Sequence, residues 1–224
     1  MKDNFQSYHF SNISQLMGHL GESPPAHPLI GLVDNSKPWI EVFEKGAKIT
    51  LDFYKISFKK NFKGKVRYGQ AYYDFQEGGL AFLKPRQVVV YSEIPESYEG
   101  YVLYFHPDLI RGYNLGSLIN RYGYFSYNVS EALFLSAEEK EVVGDLFLTI
   151  SRELENRIDA FSQDVLVSQI ELLLNYSNRF YNRQFITRKA VNHEIITALD
   201  HVLQDYFLHD EGLRKGFPSV RYSS

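Results

Sequence analysis

Proline placement constrains this chain more than any other feature of its sequence. Seven of its eight prolines lie between Pro24 and Pro107, and the eighth is Pro218. Because proline lacks a backbone N–H and interrupts helices and central strands, the first half is predicted to form short strands joined by turns. The long proline-free stretch that follows permits long helices. The sequence therefore predicts an α+β fold, in which an antiparallel β-barrel or sandwich is followed by an α-helical region.

About eight strands are predicted in the first half. The run from Ala47 to Lys60 alternates apolar and polar side chains, which is the period of a β-strand. Gly64 marks a hairpin turn after this run. A short helix is expected over Ser11–Leu20, with Ser11 as its N-cap. The remaining strands are expected at Ile30–Val33, Ile40–Glu44, Val66–Phe75, Leu80–Leu83, Val88–Tyr91 and Gly100–Phe105.

Helical periodicity takes over in the second half. Ser136 and Glu139 have the spacing of a capping box, which predicts the start of a helix that runs to about Arg157. Its apolar face would carry Val143 and neighbours at helical spacing through Leu154. Other helices are predicted over Pro107–Tyr122 with a break near Gly112–Gly116, over Ser162–Gln184 and over Asn192–His209.

One of these helices carries an apolar seam like that of a coiled coil. Its members follow a 4-3-4-3 spacing, which in a coiled coil places every member against a partner helix. The seam is predicted to be a homodimer interface, and packing within the chain against Val143–Leu154 is the alternative. Its residues are Leu166, Ile170, Leu173, Ser177 and Phe180.

Several kinds of function are disfavoured by composition. There is no cysteine, which removes thiol nucleophiles and cysteine-based metal sites, and none of the seven histidines forms a His-x-His pair. No catalytic or phosphate-binding motif stands out, so we expect no catalytic residue, no metal and no cofactor. The formal charge of −3 disfavours a chain that mainly binds nucleic acid. Without an apolar run of about 20 residues, a soluble, cytoplasmic protein away from the membrane is expected.

Two features of the predicted hairpin could carry function. Six basic residues between Lys55 and Arg67 have no acid among them, which predicts either a solvated hairpin or a patch for phosphates or an acidic partner. The same strands are rich in tyrosine, and a pocket lined by tyrosines would suit a small polar ligand. Ordinary core packing is the alternative, and the pattern leaves open which strand face is the inner one. The predicted ligand-binding residues are Tyr54, Tyr68, Gln70 and Tyr72.

Longer segments resemble a known family. YGQAYYDFQEGGLAFLKPRQ, from Tyr68 to Gln87, resembles the turn and strand pair of the cupin-type sensor domain in AraC-family transcriptional regulators. Gly79 and Pro85 match the Gly-x5-Pro spacing of a cupin motif whose metal-ligand positions are unfilled here. Further similarity lies in HPLIGLVD, LYFHPDLIRG, FSYNVSEAL and, most specifically, IELLLNYSNRFYNRQFITRK, which resembles the linker helix before the DNA-binding domain.

This resemblance covers nearly the whole chain and implies a role for each part. It implies a cupin-like barrel that binds a small-molecule effector, followed by helices that mediate homodimerisation. DNA would be bound only through a further domain with two helix-turn-helix motifs. GFPSVRY, from Gly216 to Tyr222, resembles the entry to that domain, so DNA binding is implied for a longer parent protein. The expected divisions are 1–24 for an arm with a short helix, 25–106 for the barrel, 107–211 for the helical region and 212–224 for the start of the missing domain.

Two other functions stay open at this point. The first is a metal-independent enzyme with a cupin fold, such as a small-molecule isomerase. The second is a truncated interaction module that captures full-length partners in inactive heterodimers.

Overall fold

The architecture was established from a computed structural model. It describes residues 6–35, 43–44, 46–63, 65–68, 71–74, 78–90, 97–125 and 133–184, with backbone alone at 61–63, 65–68, 71–74 and 97–98. The strands in these residues are β1 (Ser7–Phe10), β2 (Ile30–Asp34), β3 (Lys48–Leu51), β4 (Tyr54–Lys63), β5 (Lys65–Tyr68), β6 (Ala71–Asp74), β7 (Gly79–Leu83), β8 (Val88–Val90), β9 (Ser97–Phe105) and β10 (Leu133–Phe134). The helices are α1 (Ile13–His19), α2 (Pro107–Ile110), α3 (Asn114–Leu118), α4 (Ala137–Glu155) and α5 (162–184), with 3₁₀ turns at Ile119–Arg121 and Gly123–Phe125.

Two sheets form a sandwich. The larger has the strand order β10-β7-β4-β9-β2, and each neighbouring pair in it is antiparallel. The smaller has the order β1-β3-β8, in which β1 and β3 run parallel, and β5 and β6 form a separate hairpin. Helices α4 and α5 follow the strands. The predicted α+β fold of cupin type, with strands first and helices second, is confirmed.

The predicted strand from Ala47 to Lys60 is in fact two strands. A bend at Asp52 and Phe53 ends β3 in the smaller sheet and starts β4 in the larger one. The Asp52 N–H donates to the Phe10 carbonyl at 3.0 Å, while Phe53 is fully buried. The alternation continues through the bend, so sequence periodicity alone does not reveal that the chain changes sheet there.

Between the sheets lies an apolar core to which the N-terminal segment contributes. The N-cap of α1 is Asn12, not Ser11 as predicted, because its side chain accepts from the Gln15 N–H at 2.9 Å. A side chain on Gly31 of β2 would lie 2.7 Å from Met17 Cε, so glycine lets α1 approach the sheet closely. The predicted N-terminal arm thus belongs to the sandwich. The core contains Phe10, Ile13, Leu16, Met17, Val33, Phe43, Ala47, Leu51, Phe53, Val102 and Tyr104.

The opposite face of the larger sheet is covered by aromatic packing. Phe147 of α4 stacks on Phe58 of β4 and on Tyr101 of β9, with ring centroids 5.7 and 5.8 Å apart. At the other end of β4, Tyr54 stacks on Phe105 at 4.9 Å and meets Phe125 edge-on at 5.2 Å. Both faces of the larger sheet are therefore buried along β4.

Helix α5 packs on the segment that follows β9. The Tyr124 hydroxyl donates to the Leu174 carbonyl at 2.9 Å, and the Tyr122 hydroxyl donates to Asn175 Oδ1 at 3.0 Å. Gln163 Nε2 donates to the Leu109 carbonyl at 2.9 Å. These hydrogen bonds hold α5 against residues 107–125 over much of its described length.

This packing corrects the predicted position of the apolar seam. All five seam residues are at most 6% exposed within a single chain, so they have almost no surface left for a second chain. Their spacing reflects the buried face of an amphipathic helix. The alternative, packing within the chain, therefore accounts for the seam. The hydrogen bonds that hold α5 in place are made with residues 107–125 and not with Val143–Leu154, the segment named in the prediction. The residues concerned are Leu166, Ile170, Leu173, Ser177 and Phe180.

The single strand predicted over Val66–Phe75 is wrong, because β5 and β6 form a hairpin there, with Tyr68 opposite Ala71. The predicted pairing of this segment with the strand before Gly64 is wrong as well. In the described residues β5 pairs with β6, whereas β4 pairs with β7 and β9.

The other predicted elements are confirmed or lie outside the described residues. The capping box at the start of α4 is formed: the Glu139 N–H donates to Ser136 Oγ at 3.3 Å, and the Ser136 N–H donates to Glu139 Oε2 at 2.9 Å. Of the strand expected at Ile40–Glu44, only 43 and 44 are described, and neither is in a strand. The helix expected at Asn192–His209 and the segment 212–224 lie outside the described residues.

Replacement of Ser136 by alanine is expected to lower the free energy of unfolding by about 1 kcal/mol, because the start of α4 loses its capping hydrogen bonds. Thermal denaturation of the variant checks this. The control is Ser168→Ala, since this exposed serine bonds only to the Asp164 carbonyl within its own helix and should change stability much less. Equal effects of the two substitutions would contradict the capping role.

Candidate functional site

Strand β4 presents different chemistry to each of its two faces. Tyr54 and Phe58 lie on the face packed against the helices, as their ring contacts with Phe125 and Phe147 show. Ile56 lies between them and shares that face. Side chains alternate along a strand, so the next residues point to the opposite face, between the sheets. Those residues are Lys55, Ser57 and Lys59, which we call the lysine row.

The lysine row is enclosed by protein. Ser57 and Lys59 are each 3% exposed, whereas Lys55 keeps a little more accessible surface. Burial lowers the pKa of Lys55 to about 8, because the charged ammonium loses water that the protein does not replace. Burial, with the nearby charge of Lys55, also lowers the pKa of Lys59 well below its ordinary value. Such lysines are rare inside folded proteins and are concentrated at functional sites.

The cross-strand neighbours of the lysine row differ in size along β4. Lys55 lies between Leu83 of β7 and Tyr104 of β9, and its Nζ is 5.9 Å from the centroid of the Tyr104 ring. Lys59, by contrast, lies between Gly79 and Gly100, which place no side chain beside it. Ser57 has the small Ala81 on one side and Val102 on the other. The row is therefore bordered by bulky groups at the Lys55 end and by small residues toward Lys59.

At the Lys55 end the row joins the apolar core. The Tyr104 ring also meets Phe53 edge-on, with centroids 5.9 Å apart, and both residues belong to the core between the sheets. Apolar side chains beside a few polar groups are the composition typical of small-molecule binding sites. The geometry thus favours ligand binding between the sheets.

Of the four predicted ligand-binding residues, the structure places one side chain. Tyr54 lies on the helix-facing side of β4, is 7% exposed, and packs between aromatic rings. Its ring faces away from the lysine row, and its role as a ligand contact stays a prediction. Tyr68 and Tyr72 are in the β5–β6 hairpin, where only the backbone is described, and Gln70 lies outside the described residues. These three stay predictions.

The basic run is also divided by the structure. Lys60 is exposed, as a solvated hairpin predicts, but Lys55 and Lys59 lie in the interior. Alternation of lysine with aromatic residues usually indicates a strand with one wet face, so the sequence interpretation placed them in solvent. The i, i+4 spacing of Lys55 and Lys59 was the available signal that they share a face. This spacing does not indicate whether the shared face is buried or exposed.

Histidines in the described residues have structural roles. His106 Nδ1 accepts from the Asp108 N–H at 3.2 Å and caps α2, and His27 Nδ1 accepts from the Leu29 N–H at 3.2 Å. Burial lowers the pKa of His27, which favours its neutral, accepting form. No cluster of three or more histidine, aspartate or glutamate residues able to hold a metal occurs within the part of the chain that the structure describes.

The fold is a β-sandwich of cupin type followed by helices. Comparison with protein families makes the assignment specific: the model of the AraC-like ligand binding domain matches residues 51–169, more than half of the chain. The chain belongs to this family. No curated protein matches it. Among the described residues, no helix has both the length and the apolar character needed to span a bilayer.

Lys55→Met is expected to stabilise the protein at pH 7 by about 1–2 kcal/mol, a figure reduced for the partial solvent exposure of the side chain. Below a pH of about 8 the native state carries the full cost of the buried ammonium. As pH rises from there toward the ordinary lysine pKa, the native protein releases this proton before the unfolded chain does, so the cost falls. The stability advantage of the variant should therefore shrink with rising pH.

Denaturant unfolding of both proteins between pH 7 and pH 10 measures this difference. Lys60→Met is the matched control because Lys60 is an exposed lysine of the same strand. A constant difference across that pH range, or an equal gain in the control, would show that Lys55 is not buried as a cation.

Proposed function

We propose that this domain senses a small-molecule effector for an AraC-type transcriptional regulator, and that the effector binds between the sheets beside the lysine row. Membership of the AraC-like ligand binding domain family supports a regulatory sensor rather than an enzyme. The observation that carries the position of the site is the enclosure of Lys55 between the sheets. Cationic groups are costly there unless they serve a ligand or a partner.

The same strand supplies a route for a binding signal. Side chains on one face of β4 border the proposed site, while Phe58 on its other face stacks on Phe147 of α4 at 5.7 Å. A ligand that favours one position of β4 would thereby favour one position of α4 as well. An effector shifts such an equilibrium only by its difference in affinity for the two arrangements.

Homodimerisation is part of the proposal, but through a surface other than the buried seam. Phe161, Val165 and Leu172 are 71%, 38% and 46% exposed, and the last two lie seven residues apart on one side of α5. An exposed apolar stripe at helical spacing suits an interface between two copies of a helix. Sequence-specific DNA binding is proposed for a helix-turn-helix part of the full regulator, and a cytoplasmic location goes with that role.

Ala81→Leu tests the position of the ligand site. Ala81 is 6% exposed and lies beside Ser57, so a leucine there would occupy the space next to the row. The substitution is expected to cost about 1–3 kcal/mol by overpacking and to weaken ligand binding at least tenfold. A fragment library screened by ligand-observed NMR provides the ligands, and titration of the bound fragments provides the affinities.

Lys60→Met is the control for this experiment, since its side chain lies on the exposed end of the same strand. Circular dichroism and a melting curve establish that Ala81→Leu keeps its fold. If the wild type bound no fragment, or if a folded Ala81→Leu bound them unchanged, the effector site would not lie between the sheets.

Leu172→Asp tests the dimer surface against its buried neighbour. Because Leu172 is 46% exposed, the variant should keep its stability and become monomeric in size-exclusion chromatography with light scattering. Leu173 is fully buried, so Leu173→Asp should lose about 4 kcal/mol or more of stability. A wild-type monomer, or a Leu172→Asp variant that remains dimeric, would contradict the proposed interface.

A further inference from the structure

The environment of Lys55 narrows the chemistry of the ligand. Its ammonium lies over the Tyr104 ring at 5.9 Å, and no carboxylate of the described residues forms an ion pair with it. The ion pairs found in those residues involve Asp52 and Asp108 instead. A cation–π contact compensates an ammonium only in part, since it replaces neither the hydrogen bonds nor the countercharge that water and ions supply.

We propose that the effector is a small organic anion whose carboxylate or phosphate group binds the Lys55 ammonium. This inference rests on the proposed function, because it concerns the same site between the sheets. Lysine has three donors and no acceptor, so an oxyanion matches it in both hydrogen bonding and charge. A neutral polar ligand would accept hydrogen bonds but leave the positive charge of Lys55 uncompensated.

The rest of the ligand is expected to be apolar and compact. Beside Lys55 the interior is formed by Tyr104, Phe53 and Val102, all of them buried and apolar at the surfaces they present to the core. A ring or short hydrocarbon attached to the anionic group would contact these side chains, and the Tyr104 ring offers an aromatic surface for stacking. An aromatic monoacid is the simplest molecule that offers both an anionic group to Lys55 and a ring to these apolar side chains.

Three probes with one ring and different head groups test the inference. Benzoate carries a carboxylate, phenyl phosphate carries a phosphate, and benzyl alcohol carries no charge. We expect at least one of the two anions to bind the wild-type protein at least tenfold more tightly than benzyl alcohol at pH 7, and their order distinguishes a carboxylate from a phosphate ligand. Dissociation constants are measured by saturation-transfer NMR on the full chain.

Lys55→Met separates charge from shape. This variant removes a buried charge and keeps a chain of similar length, so it should fold, which a melting curve verifies. Its affinity for the anionic probe is expected to fall at least tenfold, while its affinity for benzyl alcohol changes less than twofold. Lys60→Met, on the exposed end of β4, should bind all three probes like the wild type.

The outcomes distinguish this inference from the proposed function. If benzyl alcohol binds as well as the anions, or if Lys55→Met binds the anions unchanged, the anionic effector is overturned while a ligand site blocked by Ala81→Leu still stands. If Lys60→Met loses the anions equally, the attraction comes from surface charge and the inference also fails. If fragments bind the interior but neither anion does, the site is retained and its ligand is neutral. If nothing binds the interior, both proposals fail.

Discussion

The fold depends on the double burial of strand β4. It is paired on both edges, with β7 and β9, and it is covered on both faces. A central strand with this environment is normally a continuous apolar run, because each face must be compatible with a packed interior. Here one face is apolar and the other carries Lys55, Ser57 and Lys59. The apolar packing of the rest of the sandwich must therefore offset the free-energy cost of burying this polar row at its centre.

Aromatic residues on the helix side balance that arrangement. Tyr54, Phe58 and Tyr101 each stack on a ring from another element. Phe147 of α4 stacks on rings from both β4 and β9. Buried rings contribute large apolar areas and favour defined geometries. Helices α4 and α5 are therefore an integral part of the domain. Their apolar faces are buried within the same chain and do not require a second copy. This explains why a seam with coiled-coil spacing lies inside a single chain.

The sequence predicts the fold more completely than the site. Proline placement, alternation and the Ser136–Glu139 spacing are local signals, and they predicted the fold class and the start of α4 correctly. They did not reveal that the chain changes sheet at Asp52 and Phe53 or reverses between β5 and β6. Burial is not a local property. It decides that Lys55 lies inside and Lys60 outside, that Tyr54 packs with rings, and that Leu173 faces the interior while Leu172 does not. Each of these distinctions depends on elements far away in the sequence, which periodicity does not report.

The glycines that flank Lys59 have a consequence for how such a domain can diverge. A Cβ on Gly100 would lie 2.0 Å from the Phe58 carbonyl oxygen, and one on Gly79 would lie 2.4 Å from that of Leu133. Backbone atoms cannot yield as a flexible side chain does, so a larger residue at either position would disturb strand pairing instead of reshaping the interior. Substitutions that preserve strand pairing are instead expected at Ala81 and Val102, the neighbours of Ser57. The two backbone contacts thus fix the lysine row at its Lys59 end and leave the neighbours of Ser57 free to vary.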